Sequence, residues 1–137
     1  MSDLPDYTAY ITQNIELPAE EQGPVIPRPK GGVLAKGSIT TSSSYQTVAE
    51  YTPTAGKTFQ LTKILVSPEQ DTWVSYWWDG VRISAEILLT GKIPFTDWFP
   101  WDYYPMKGDG SKKFEVKAKY YTTEGYCGVE IVGEEVE

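Results

Sequence analysis

Asp97 and Asp102 are two carboxylates five residues apart, each beside a tryptophan, Trp98 and Trp101. Such a pair could act on a glycosidic bond, one group as acid and the other as base or nucleophile. No recognised motif surrounds them, and aspartates are common in exposed loops, so the sequence favours a non-catalytic role. The chain has no histidine, which removes the usual general base and metal ligand. Its one thiol, Cys127, lies in Tyr126-Cys127-Gly128-Val129-Glu130-Ile131-Val132, where alternation sets Cys127, Val129 and Ile131 on one face. That pattern predicts a buried structural cysteine, because no cation or base nearby would activate it. A single cysteine also leaves no internal disulfide. Lys107-Gly108-Asp109-Gly110-Ser111 lacks the repeated oxygen ligands of a calcium loop and reads as a turn that uses glycine for positive φ. No catalytic residue, metal or cofactor is expected.

The two aspartates sit in a far more conspicuous stretch. Six aromatic residues fall between Phe95 and Tyr104, bracketed and interrupted by Pro94, Pro100 and Pro105. The prolines argue against a helix or central strand, so the stretch is expected to be an irregular connection with unusual apolar area. Something must cover those rings: the domain's own core, another copy, a protein scaffold or a stacked sugar. A second aromatic group lies in Thr72-Trp73-Val74-Ser75-Tyr76-Trp77-Trp78. There, alternation places Trp73 and Trp77 on one face and Tyr76 and Trp78 on the other. Trp73 and Trp77 would be about 13 Å apart, a spacing on which two sugar units can stack. Trp73, Trp77, Phe95, Trp98, Phe99, Trp101, Tyr103 and Tyr104 are therefore the candidates for an oligomer interface or a glycan platform.

Net charge is −7, which disfavours nucleic acid as a partner. Lys112, Lys113, Lys117 and Lys119 form a local basic patch, but the last two alternate with Val116, Ala118 and Tyr120 and read as a solvated strand face. No apolar run approaches the ~20 residues that span a bilayer, and the first residues lack the basic and apolar regions of a secretory signal. Neither a membrane partner nor secretion is expected.

The elements that must position these residues fall into two parts. Residues 1–32 read as a proline-rich arm that ends at Gly31-Gly32, and its stretch from Leu17 to Lys30 has prolines at 18, 24, 27 and 29 and no sustained periodicity. Fully extended, the arm could reach on the order of 100 Å. Its candidate partner-binding residues are Tyr7, Tyr10, Ile11, Ile15, Leu17, Pro24, Ile26 and Pro27. Residues 33–137 read as a β-domain. Strands are predicted over Tyr45 to Tyr51, Lys57 to Ser67, Thr72 to Trp78, Val81 to Leu89, Lys113 to Tyr121 and Tyr126 to Val132. A shorter one covers Val33 to Thr40, and another leaves Gly91 towards Phe95. Asp79-Gly80 between two apolar strands favours a type I′ hairpin, and the apolar phase slips between Leu61 and Ile64, as at a bulge. Seven or eight strands in this length predict an all-β, two-sheet antiparallel sandwich. A jelly roll is favoured because the long connection from Pro94 to Asp109 can cross between sheets.

A proline-rich arm that enters an all-β domain through Gly31-Gly32, followed by Lys57-Thr58-Phe59-Gln60-Leu61-Thr62-Lys63-Ile64-Leu65-Val66 and Lys107-Gly108-Asp109-Gly110-Ser111, resembles small jelly-roll virion proteins of tailed bacteriophages. The likeness is one of architecture over the whole chain. It implies a non-enzymatic structural protein of the virion, a capsid decoration or head-fibre protein assembled in the host cytoplasm. Such a protein would be a homo-oligomer, with a trimer favoured, anchored through its arm to the major capsid or another virion protein. The alternative is a carbohydrate-binding module or receptor-binding tail domain with a glycan as ligand.

Overall fold

The computed structural model describes residues 32–137, and these form ten β-strands in two antiparallel sheets. In chain order they are β1 (Gly32–Thr40), β2 (Gln46–Tyr51), β3 (Thr58–Pro68), β4 (Thr72–Trp78), β5 (Val81–Arg82), β6 (Ile87–Leu89), β7 (Phe95–Trp98), β8 (Met106–Lys107), β9 (Phe114–Tyr120) and β10 (Tyr126–Val136). Sheet A has the order β1-β10-β3-β7, with β8 also on β3, and sheet B the order β2-β9-β4-β5, with β6 also on β4.

The pairings are nested. β1 pairs with β10, β2 with β9, β3 with β7, and β4 with β5 and β6, as in one long hairpin folded at the Asp79-Gly80 turn. The hairpin is then rolled so that β10 meets β3 in one sheet and β9 meets β4 in the other. This is the jelly roll, which joins the two sheets through crossovers and leaves few free edges. At the fold point, Asp79 and Gly80 have φ of 51° and 80°, the two positive values that a type I′ turn requires.

Alternation explains the layers. On β9, Phe114, Val116 and Ala118 are fully buried, and on β10 so are Cys127, Val129 and Ile131 or nearly so. Facing them lie Phe59, Ile64 and Val66 of β3 and Val74 and Tyr76 of β4. Each fully buried large apolar side chain contributes roughly 1.5–3 kcal/mol. An aromatic chain crosses this core from Tyr51 through Phe59, Phe114, Tyr76 and Phe99 to Tyr103, with successive ring centroids 4.9, 6.2, 6.2, 5.6 and 4.7 Å apart. Two tyrosines tie sheet to sheet. Tyr76 donates its hydroxyl to Asp97 Oδ2 at 2.7 Å, and Tyr51 donates to Glu135 Oε2, which also accepts from the Thr54 amide at 2.7 Å.

The phase slip on β3 is a bulge. Val132 pairs with Lys63 but Gly133 with Leu61, so Thr62 is the extra residue. A Cβ on Gly133 would lie 2.4 Å from the Gln60 carbonyl oxygen and 2.6 Å from the Phe59 ring, so the site accepts only glycine without movement.

Two expectations need correction. The single strand over Val81 to Leu89 is two short strands, because Ser84 Oγ, not a backbone carbonyl, accepts from the Tyr76 amide at 2.9 Å and interrupts the ladder. The aromatic stretch is not wholly irregular either. Phe95–Trp98 forms β7, paired with Lys63 to Val66 at the edge of sheet A, where flanking prolines are tolerated.

Candidate functional site

Strand β7 sorts the aromatic run. Its register sets Phe95 and Asp97 opposite the buried Val66 and Ile64, and Thr96 and Trp98 opposite Leu65 and Lys63 on the outer face. Beyond it, the Phe99 amide donates to the carbonyl of the bulged Thr62 at 2.9 Å, and the Tyr103 amide donates to the Pro100 carbonyl at 3.1 Å. These bonds turn the chain so that Phe95, Phe99 and Tyr103 pack against the core while Trp98, Trp101 and Tyr104 face out. The last three are 65%, 70% and 39% exposed, large values for rings that gain from leaving water. Lys63 Nζ stands 4.8 Å from the Trp98 ring centroid, a cation–π contact on the wet face.

The structure turns Asp97 and Asp102 to different surroundings. The Asp97 carboxylate is turned inward onto Tyr76, whereas Asp102 is exposed on the outer side of the loop. Burial, then the bond to Asp97, push the Tyr76 phenol well above its ordinary pKa. Burial and the nearby Asp97 charge do the same to Tyr103. Cys127 is buried among apolar groups, and this desolvation pushes its thiol up to about 11. In the turn at Gly108-Asp109-Gly110, Asp109 Oδ1 accepts from the Lys112 and Ser111 amides and from Ser111 Oγ, which lowers its pKa to about 2. Gly110 has φ of 91°. Among the described residues, no group of three or more His, Cys, Asp or Glu is placed to hold a metal ion.

Beside the outward rings lies a cleft of about 320 Å³, lined by Thr58, Gln60, Trp101, Asp102, Tyr104 and Pro105. The Gln60 Oε1 is buried and has no hydrogen-bond partner among the described residues. Sequence reasoning missed Thr58 and Gln60, although both occupy the outward phase of β3 around the buried Phe59.

Trp73 and Trp77 do share the outer face of sheet B, on β4, but neither is bare. Lys117 Nζ sits 4.4 Å from the Trp77 ring centroid, the Trp77 indole donates to Ser75 Oγ at 2.9 Å, and Tyr121 packs edge-on against Trp73 at 6.1 Å. Lys119 covers Tyr45 in the same way, at 4.7 Å. The lysines of the solvated face therefore roof aromatic rings beneath them, and Trp73 and Trp77 are less exposed than Trp98 and Trp101. The arm residues Tyr7, Tyr10, Ile11, Ile15, Leu17, Pro24, Ile26 and Pro27 lie outside the described residues.

The chain therefore defines an all-β jelly-roll protein with a bare aromatic edge on sheet A. It matches no family model and no curated protein. Among solved structures it is similar to one titled Desmodium yellow mottle tymovirus, at 11% identity over 92% of this chain and 97% of that one, with a TM-score of 0.36. Superposition that loose decides nothing about this chain.

Proposed function

We propose that this chain is a non-enzymatic structural protein of a virion, a capsid decoration or head-fibre protein that assembles with its own copies and attaches through residues 1–32. One observation carries the reading. A jelly roll whose core is filled by its own residues nevertheless holds Trp98 about two-thirds exposed at one edge. Rings left this bare on a completed fold are suited to a contact with another macromolecule rather than to internal packing. Trp98 is the residue assigned to the contact between copies, because it lies on the sheet face itself, on β7, with Lys63 poised over it. The inward turn of Asp97 supports the non-enzymatic part, since it commits one member of the carboxylate pair to a hydrogen bond with Tyr76. An extended arm adds many weak contacts, and several arms on one oligomer act together through effective concentration.

Light scattering tests the assembly. The expected mass is a multiple of the single-chain mass, and Trp98→Ala should shift it towards the monomer while the melting temperature stays within a few degrees. A monomeric wild-type protein at micromolar concentration sinks the reading. For the arm, deletion of residues 2–30 should leave a folded oligomer that no longer joins its particle. Retention on the particle would remove the arm from the mechanism. A glycan array separates the alternative, in which the bare rings stack on sugar.

A further inference from the structure

We propose that Pro24-Val25-Ile26-Pro27-Arg28-Pro29 docks as a polyproline helix in the cleft between Trp101 and Tyr104 of the same molecule, strapping the root of the arm across the outer face of sheet A. The assignment stands apart from the virion role and survives its failure.

Three observations carry it. The first is the chemistry of the cleft. Its walls are Trp101, Tyr104 and Pro105, and aromatic walls of this kind receive prolines spaced as Pro24 and Pro27 are. A polyproline chain has no internal hydrogen bonds, so its carbonyls accept from an indole N–H or a tyrosine hydroxyl and its free amides need acceptors. The exposed Asp102 carboxylate at the cleft's rim is such an acceptor, and Val25, Ile26 and Arg28 carry such amides.

The second observation is reach. Gly32, where the arm enters β1, pairs with Glu134, and Glu134 pairs with Gln60, so the three share one row across sheet A. Two strand spacings separate Gly32 from the cleft floor, about 10 Å. Five residues of polyproline helix, from Pro27 to Gly32, span roughly 15 Å. The arm's own prolines therefore reach the cleft without a second copy. Charge is the third. The path from Gly32 passes Glu134 and ends at Asp102, while the segment and its exit bring Arg28 and Lys30, one cation for each carboxylate.

Disulfide trapping in the full chain tests the proposal. Pro27→Cys combined with Asp102→Cys should form an intramolecular disulfide under mild oxidation, with a yield at least tenfold above that of Pro27→Cys combined with Thr122→Cys. Thr122 is exposed in the turn between β9 and β10, at the opposite end of the sandwich, and native Cys127 is buried and does not compete. Adding Trp101→Ala to the trapping pair should lower the yield severalfold with an unchanged melting temperature. A disulfide that links two chains, a yield no higher than the control, or trapping indifferent to Trp101→Ala would each overturn the docking.

Discussion

Tyr76 on β4 and Asp97 on β7 join the two sheets of the jelly roll by a hydrogen bond of 2.7 Å between groups 21 residues apart in the chain. The neighbour of Asp97, Trp98, points the opposite way into water. One residue step along β7 thus separates a side chain that holds the sandwich together from one that is free to meet a partner.

Substitutions at this step should separate stability from assembly. Asp97→Ala strands the Tyr76 hydroxyl, which is almost fully buried, and is expected to cost about 2–3 kcal/mol. Trp98→Ala should cost under about 1 kcal/mol, since it loses only an exposed cation–π contact. Urea unfolding of both variants checks the contrast, and equal losses would contradict the assigned orientations.

Alkaline pH should weaken the fold through the same tyrosines. Burial, then the bond to Glu135, push Tyr51 up to about 12, and Tyr76 is raised further in the same sense. Below about pH 10 a tyrosine keeps its proton in both the native and the unfolded chain, so this stabilisation is complete. Above it the unfolded chain ionises first, and stability falls as pH rises towards the native values. Unfolding free energy should decline between pH 10 and 12, less steeply in Tyr51→Phe. A flat wild-type profile would refute it.

Gly37 on β1 lies directly against the backbone of β2 in the other sheet. A Cβ there would sit 1.9 Å from the Val48 carbonyl oxygen of β2, against backbone that cannot swing aside. Gly37→Ala should destabilise by about 2–3 kcal/mol. Gly32→Ala, with open space around it, should change stability by less than about 0.5 kcal/mol. Thermal melts of the pair distinguish them.

The thiol of Cys127 should be inert in the native protein. Its pKa of about 11 leaves very little thiolate at neutral pH, and its burial blocks access. Labelling by a thiol reagent is expected to be at least ~100-fold slower than in urea. Rapid native labelling would mean that β10 opens or that the cysteine is not in the core.

Much of the β-domain is legible in short windows of sequence. The alternations Phe114-Glu115-Val116-Lys117-Ala118 and Cys127-Gly128-Val129-Glu130-Ile131 report their buried faces directly, because successive side chains on a strand point to opposite sides. Asp79-Gly80 announces its hairpin, and the slip between Leu61 and Ile64 announces the bulge at Thr62. The aromatic stretch was less legible. Within Phe95-Thr96-Asp97-Trp98-Phe99, apolar and polar groups do not alternate cleanly, so the pattern could not say which rings face in. The break between β5 and β6 depends on Ser84 bonding to Tyr76 across the hairpin, and no local propensity encodes that.

The amino-acid order by itself determined that this is an all-β chain, where its principal strands and tightest turn lie, and that a proline-rich segment precedes them. Those features follow from interactions within a few residues. Tertiary structure alone decided that Asp97 accepts from Tyr76 across the two sheets, that lysines roof Trp77 and Tyr45, and that Gln60, Trp101 and Tyr104 meet at one cleft. Each of these is an encounter between segments tens of residues apart, and it is the rolling of the hairpin into two sheets, with sheet register setting the faces, that brings them together.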